Sequence, residues 1–190
     1  MLIYFSHRFL SNPNQYVIVF LQYDPKPVPK EIVEKLLHAA HMAPSGLNKQ
    51  PWYFYVINDR ARNMELGKQI EEKIPADIKA SMKEKRPKPS NICFYDAPCV
   101  IYACTIKGAA DYAPFDLGLA CENLMLEAEA LGLSTVPLKM PVYCGEEILN
   151  NALHISPEHQ LFAAISVGYR AADSGDVPKE RKADYFKFVE

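Results

Sequence analysis

No apolar run in this chain approaches the roughly 18 residues that a membrane span requires. Glycine is scarce, eight residues against fifteen prolines, and none falls into G-x-G-x-x-G, G-x-x-x-x-G-K-[ST] or G-x-S-x-G. The usual dinucleotide, nucleoside-triphosphate and hydrolase signatures are therefore absent. Charge of one sign is lacking too: 21 Lys and Arg stand against 23 Asp and Glu, a net charge of -2, which argues against nucleic acid as a partner. The five cysteines, Cys93, Cys99, Cys104, Cys121 and Cys144, include no C-x-x-C pair and lie mostly among apolar neighbours. They read as reduced core thiols of a cytoplasmic protein rather than as a zinc site. At the N-terminus, MLIYFSHRFL places His7 and Arg8 after a short apolar start, unlike a secretory signal.

What is present suits one globular domain over residues 1–190, with 49% apolar and 23% charged residues and no internal repeat. VPKEIVEKLLHAAHMA sets Val28, Ile32, Val33, Leu36, Leu37, Ala40 and Met42 at spacings of three and four, and predicts an amphipathic helix ending near Pro44. WYFYVIND, APCVIYAC and FAAISVGY read as strands. The stretch 114–133, PFDLGLACENLMLEAEALGL, reads as a helix apolar on most faces, which must be covered on most faces. KEKRPKPSN, 83–91, predicts an exposed, mobile basic loop. Strands separated by helices without a βαβ period predict an α+β fold, a sheet covered by helices.

Two side-chain groups carry little. His38 and His41, three apart on the first helix, lack a recognisable third ligand and read as ordinary helix histidines. Glu122, Glu127 and Glu129 read as a solvated or interfacial helix face. The loop APSGLNKQPW is different. Pro44 turns Ala43 away from helical geometry, Gly46 permits unusual backbone angles, and Ser45 and Asn48 bring donors and acceptors to a backbone that a flat ligand can approach. On residue chemistry alone, a binding turn and a plain helix-to-strand connector both remain open.

The pattern A-P-S-x-x-N-x-Q-P-W at 43–52 resembles the signature loop of the nitroreductase-like flavoenzymes. The first helix, DLGLACENLMLEAEALGLSTVPL at 116–138, SVGYR at 166–170 and PKER at 178–181 are similar to that family's later motifs, in the same order. The resemblance implies an antiparallel-type mixed sheet covered by helices, in an intertwined homodimer with FMN at the subunit interface. It implies that Pro44, Ser45, Gly46, Asn48 and Gln50 meet the flavin from one subunit, and Pro137, Leu138 and Lys139 from the other. Lys179 and Arg181 would pair with the FMN phosphate. The implied activity is hydride transfer from NADH or NADPH through the flavin to a small quinone or nitroaromatic-type acceptor, with no obligatory acid or base residue.

The chain departs from that pattern upstream of YDPKPVP. Where the family carries an R-[RS]-S-x-R element, this chain has VIVFLQ, with Ile18, Val19 and Leu21 in place of basic and hydroxyl residues. Two lost charge-assisted contacts weaken FMN binding by about 3 to 6 kcal/mol, roughly two to four decades in Kd. His7 and Arg8, or basic residues within 83–88, are the candidate replacements. The same departure motivates the alternative of a catalytically impaired relative that binds flavin or another flat ligand. Residues 1–22 are the divergent segment, and 15–23 read as a strand; 170–190 form the tail.

Overall fold

The computed structural model describes residues 22–172 and 184–189. Ile18, Val19, Leu21, His7, Arg8, Lys179 and Arg181 lie outside the described residues, as does most of the strand expected over 15–23.

After Pro29, α1 (Lys30–His41) buries Val33, Leu36, Ala39 and Ala40. The 44–50 turn then leads into β1 (Trp52–Ile57), followed by α2 (Arg60–Glu71), which Asp59 caps by accepting from Arg62 N–H. Next come α3 (Ala76–Lys85), β2 (Cys99–Ile106), α4 (Ala113–Ala130), β3 (Ser134–Leu138), α5 (Met140–Leu153) and β4 (His159–Gly168).

The sheet runs in the order β1-β2-β4-β3, and every pairing is antiparallel. β2 is central and buried from Cys99 through Thr105, which is why its sequence is a continuous apolar run rather than an alternating one. Its side chains split by parity. Val100, Tyr102 and Cys104 join Ile70 of α2 and Leu149 of α5 on one face. Cys99, Ile101 and Ala103 join Leu36 of α1 and Leu117, Ala120 and Leu124 of α4 on the other. The fold is thus α+β, with helices on both faces of one sheet.

The first helix begins two residues after Val28, and its expected Met42 is exposed instead of buried. The basic segment at 83–91 is mostly exposed, as expected, but it is not a loop throughout. Its first residues continue α3 to Lys85, Lys83 pairs with Glu71 at 3.3 Å, and Arg86 donates to the Tyr95 hydroxyl. Its end is pinned by Asp96, which accepts from Ser90 N–H at 2.9 Å and Asn91 N–H at 3.0 Å. Hydrogen bonds and an ion pair thus hold its two ends.

Candidate functional site

The turn at 44–50 is built against its intrinsic preferences. Leu47, Asn48 and Gln50 hold left-handed backbone angles, φ 53°, 54° and 47°, a conformation that costs non-glycine residues of order 1 kcal/mol or more each. Hydrogen bonds hold it. Ser45 Oγ accepts from Gln50 N–H at 2.9 Å, the Ser45 carbonyl accepts from Asn48 N–H at 3.0 Å, and Asn48 Oδ1 accepts from Gln50 Nε2 at 3.0 Å. Strain concentrated in an exposed polar turn is the pattern of a functional loop. Since Ser45 Oγ already accepts from Gln50, its own proton remains for donation outward.

Asp116, in the first turn of α4, fastens this turn to the body. It is 3% exposed, and its two oxygens accept from Gly46 N–H at 3.2 and 3.1 Å. The helix N-terminus favours that negative charge. Glycine suits position 46 for a steric reason: a Cβ there would lie 2.4 Å from Tyr112 Cε2. Around the turn Met42, Leu47, Tyr112 and Phe115 are 58%, 85%, 43% and 68% exposed, an apolar rim of a kind that marks a binding or interaction surface.

The second predicted group follows β3. Pro137 is exposed on an edge strand, where its missing N–H breaks no ladder. Leu138 turns its side chain into the core and offers only its backbone to the sheet end. Lys139 reaches across to β4, where its ammonium donates to the Phe162 carbonyl and lies 3.6 Å from the Phe162 ring centroid. Desolvation holds its pKa below the usual lysine range, with Glu146 opposing the shift.

The two groups lie toward the same end of the sheet but not level, because Leu138 is aligned through Ala164 and Tyr102 with Tyr55, in the middle of β1. Trp52 pairs with Thr105 and Thr105 with Gln160, while β3 ends at Leu138 opposite Ala164. They occupy opposite edges, however, because β1 and β3 are separated by β2 and β4. Three inter-strand steps set those edges roughly 14 Å apart, and the stagger along the strands adds to it. The structure therefore gathers Pro44, Ser45, Gly46, Asn48 and Gln50 into one group and Pro137, Leu138 and Lys139 into another. Within one chain it does not join them.

The nitroreductase family matches this chain over residues 22–169. The chain belongs to the nitroreductase family. A family relative in Archaeoglobus fulgidus, named NADH dehydrogenase/NAD(P)H nitroreductase, is 30% identical over 171 residues, covering 86% of this chain and 82% of that protein. An iodotyrosine deiodinase of Danio rerio is 26% identical over 177 residues, covering 84% of this chain but only 59% of the deiodinase. The solved nitroreductase of Bacteroides fragilis with bound FMN superposes with a TM-score of 0.76 at 21% identity, over 100% of this chain and 98% of that one. That last likeness is one of fold.

In this nitroreductase-family chain, sequence reading missed Asp116, Tyr112 and Phe162 as supports of the two groups. Asp116 had one available signal, a lone acid among apolar residues in the first turn of its helix. Of the basic residues within 83–88, Lys83 and Arg86 are engaged by Glu71 and Tyr95, and Lys88 also has a partner. His38 and His41 are both exposed in the last turn of α1. No group of three or more His, Cys, Asp or Glu gathers among the described residues, and no described helix is long and apolar enough to cross a membrane.

Proposed function

We propose that this family member is an FMN-dependent oxidoreductase, working as a homodimer, that takes hydride from NADH or NADPH and reduces a small, flat quinone or nitroaromatic-type acceptor. The observation that carries the reading is the strained 44–50 turn, fastened by Asp116 and rimmed by exposed apolar side chains. The placement of that turn and 137–139 on opposite edges of the sheet, edges roughly 14 Å apart, favours two copies contributing to each pocket, one the turn and the other the β3 exit.

The residues present fit a flat ring with polar edges. Pro44, Ser45, Gly46, Asn48 and Gln50 would bind it from one copy, with the Ser45 hydroxyl and the amides of Asn48 and Gln50 as donors. Pro137, the Leu138 backbone and Lys139 would meet it from the other, and Lys179 and Arg181 would take the phosphate. FMN, when bound, supplies hydride chemistry at its ring nitrogen N5. The protein's part is orientation and positive charge from Lys139. No side chain is assigned as acid or base, because water supplies protons in an open site.

The deiodinase relatives favour a second acceptor class, a halogenated phenol losing halide. Replacement of the N-terminal basic element by Ile18, Val19 and Leu21 favours a different alternative, binding of flavin without turnover.

The visible spectrum of purified protein after incubation with FMN and desalting tests the reading. Retained flavin that NADH or NADPH bleaches, and that nitrobenzoate or quinone reoxidises, supports it. Retained flavin without bleaching favours the binding protein, and a colourless protein refutes both. Iodide release from iodotyrosine would assign the second acceptor class.

A further inference from the structure

Lys139 is an ammonium held in place without an ion-pair partner among the described residues. It donates to the Phe162 carbonyl, lies 3.6 Å from the Phe162 ring centroid and 5.2 Å from that of Tyr143, and is half-buried. Among the described residues it forms no ion pair: Lys30–Glu34 and Lys83–Glu71 are elsewhere. Glu146 acts on it at a distance only. A partly desolvated cation is costly to hold unless an anion completes it. Two of its three protons remain for such a partner.

The neighbouring surfaces define the partner's shape. The Phe162 face is taken by the ammonium itself, whereas Tyr143 is 76% exposed, so the cation lies beside an aromatic ring on which a second ring can stack. We infer that Lys139 selects the substrate of this site: a flat aromatic molecule bearing an anionic oxygen group, a carboxylate or phenolate, taken by the ammonium while the ring lies against the aromatic and flavin surfaces. The inference rests on the FMN reading above, in which 137–139 face the cofactor. It adds what that reading leaves open, the charge of the substrate. The basic element missing at Ile18, Val19 and Leu21 makes this cation the more consequential.

The test uses the full chain incubated with FMN and desalted, titrated calorimetrically with benzoate and with benzamide, its uncharged counterpart. Wild type is expected to bind benzoate about tenfold to a hundredfold more tightly than benzamide, the range of one charge-assisted hydrogen bond. Lys139→Met should reduce that ratio to about one, and Lys139→Arg should keep most of it. Unchanged discrimination in Lys139→Met, or none in wild type, overturns the inference. A parallel titration with FMN and riboflavin separates the other source of anion. If Lys139→Met weakens FMN but not riboflavin and leaves the benzoate ratio intact, the ammonium serves the cofactor phosphate and the inference is wrong. Flavin retention, read from absorbance in the same samples, reports on the cofactor reading independently of the benzoate ratio. Circular dichroism and the Lys139→Arg variant distinguish loss of charge from loss of fold.

Discussion

Asp116 and Gly46 are 70 residues apart in sequence, yet both carboxylate oxygens of the one lie 3.1 to 3.2 Å from the backbone nitrogen of the other. This contact couples the N-terminus of α4 to the turn that precedes β1. It also explains how a turn with three left-handed non-glycine residues persists in one shape.

Asp116→Ala should therefore loosen the turn as well as the core. It leaves Gly46 N–H without its acceptor, at a cost of about 1 to 3 kcal/mol, which corresponds to a melting temperature lower by several degrees in a chain of this size. FMN affinity, followed by quenching of flavin fluorescence, should fall with it. Asp116→Asn retains one acceptor oxygen and should cost less on both measures. Equal flavin affinity in wild type and Asp116→Ala would remove Asp116 from the account of the site.

Gly46 and Tyr112 make a second, coupled pair. A methyl group at Gly46 would lie 2.4 Å from Tyr112 Cε2, so Gly46→Ala must displace that ring or the turn. Tyr112 is 43% exposed and its ring has room to move outward. Gly46→Ala is expected to destabilise by about 1 to 3 kcal/mol. In Tyr112→Ala the same change should cost markedly less, giving a coupling energy of at least about 0.5 kcal/mol. Strict additivity in urea denaturation would mean that the clash is not what makes glycine necessary there.

Much of the frame was legible in the sequence because its signals are local. The three-and-four spacing at 28–42 and the apolar run at 99–105 each specify their own element. β3 and α5 were not read, for particular reasons. β3 has five residues and contains Pro137, which argues against a strand unless that strand lies at an edge, and edge position is a tertiary fact. Within α5, Gly145 breaks helical geometry with φ -130°. A Cβ there would meet Ile70 at 2.4 Å, so the approach of α2 is what favours glycine at that position. The site divides in the same way. The chemistry of Ser45, Gly46, Asn48 and Gln50 is visible in a ten-residue quotation, whereas Asp116, Tyr112 and Phe162 act across long sequence separations that no spacing rule reports.

Tyr102 tests the central strand. It is fully buried, its ring meets Phe94 edge-on with centroids 6.0 Å apart, and its hydroxyl has no hydrogen-bond partner among the described residues. Burial drives the phenol pKa upward. An unpaired buried hydroxyl costs about 1 to 3 kcal/mol. Tyr102→Phe keeps the ring and removes the cost, so it should raise the urea midpoint at unchanged slope. A lower midpoint would indicate that the hydroxyl is satisfied, for instance by an internal water.

The thiols give the pH dependence. Burial pushes Cys99, Cys104 and Cys121 up to about 12, and burial, with Glu71 and Cys144 adding to it, pushes Cys93 up as well. The folded chain therefore keeps protons that the unfolded chain releases once pH passes the ordinary thiol range, about 8.5 to 9. Between that range and about 12 the unfolded state binds fewer protons, so stability is full below it and declines as pH rises. Tyr95 and Tyr102, also shifted upward by burial, add to the decline at the alkaline end. Urea midpoints measured from pH 7 to 11 should fall monotonically above about 9, and the fall should become shallower when Cys99 and Cys121 are replaced by Ala. At pH 8 a disulfide reagent should modify the half-buried Cys144 rapidly and the four buried thiols only on unfolding. Rapid reaction of two or more thiols in the folded protein would contradict the assignment of those four to the core.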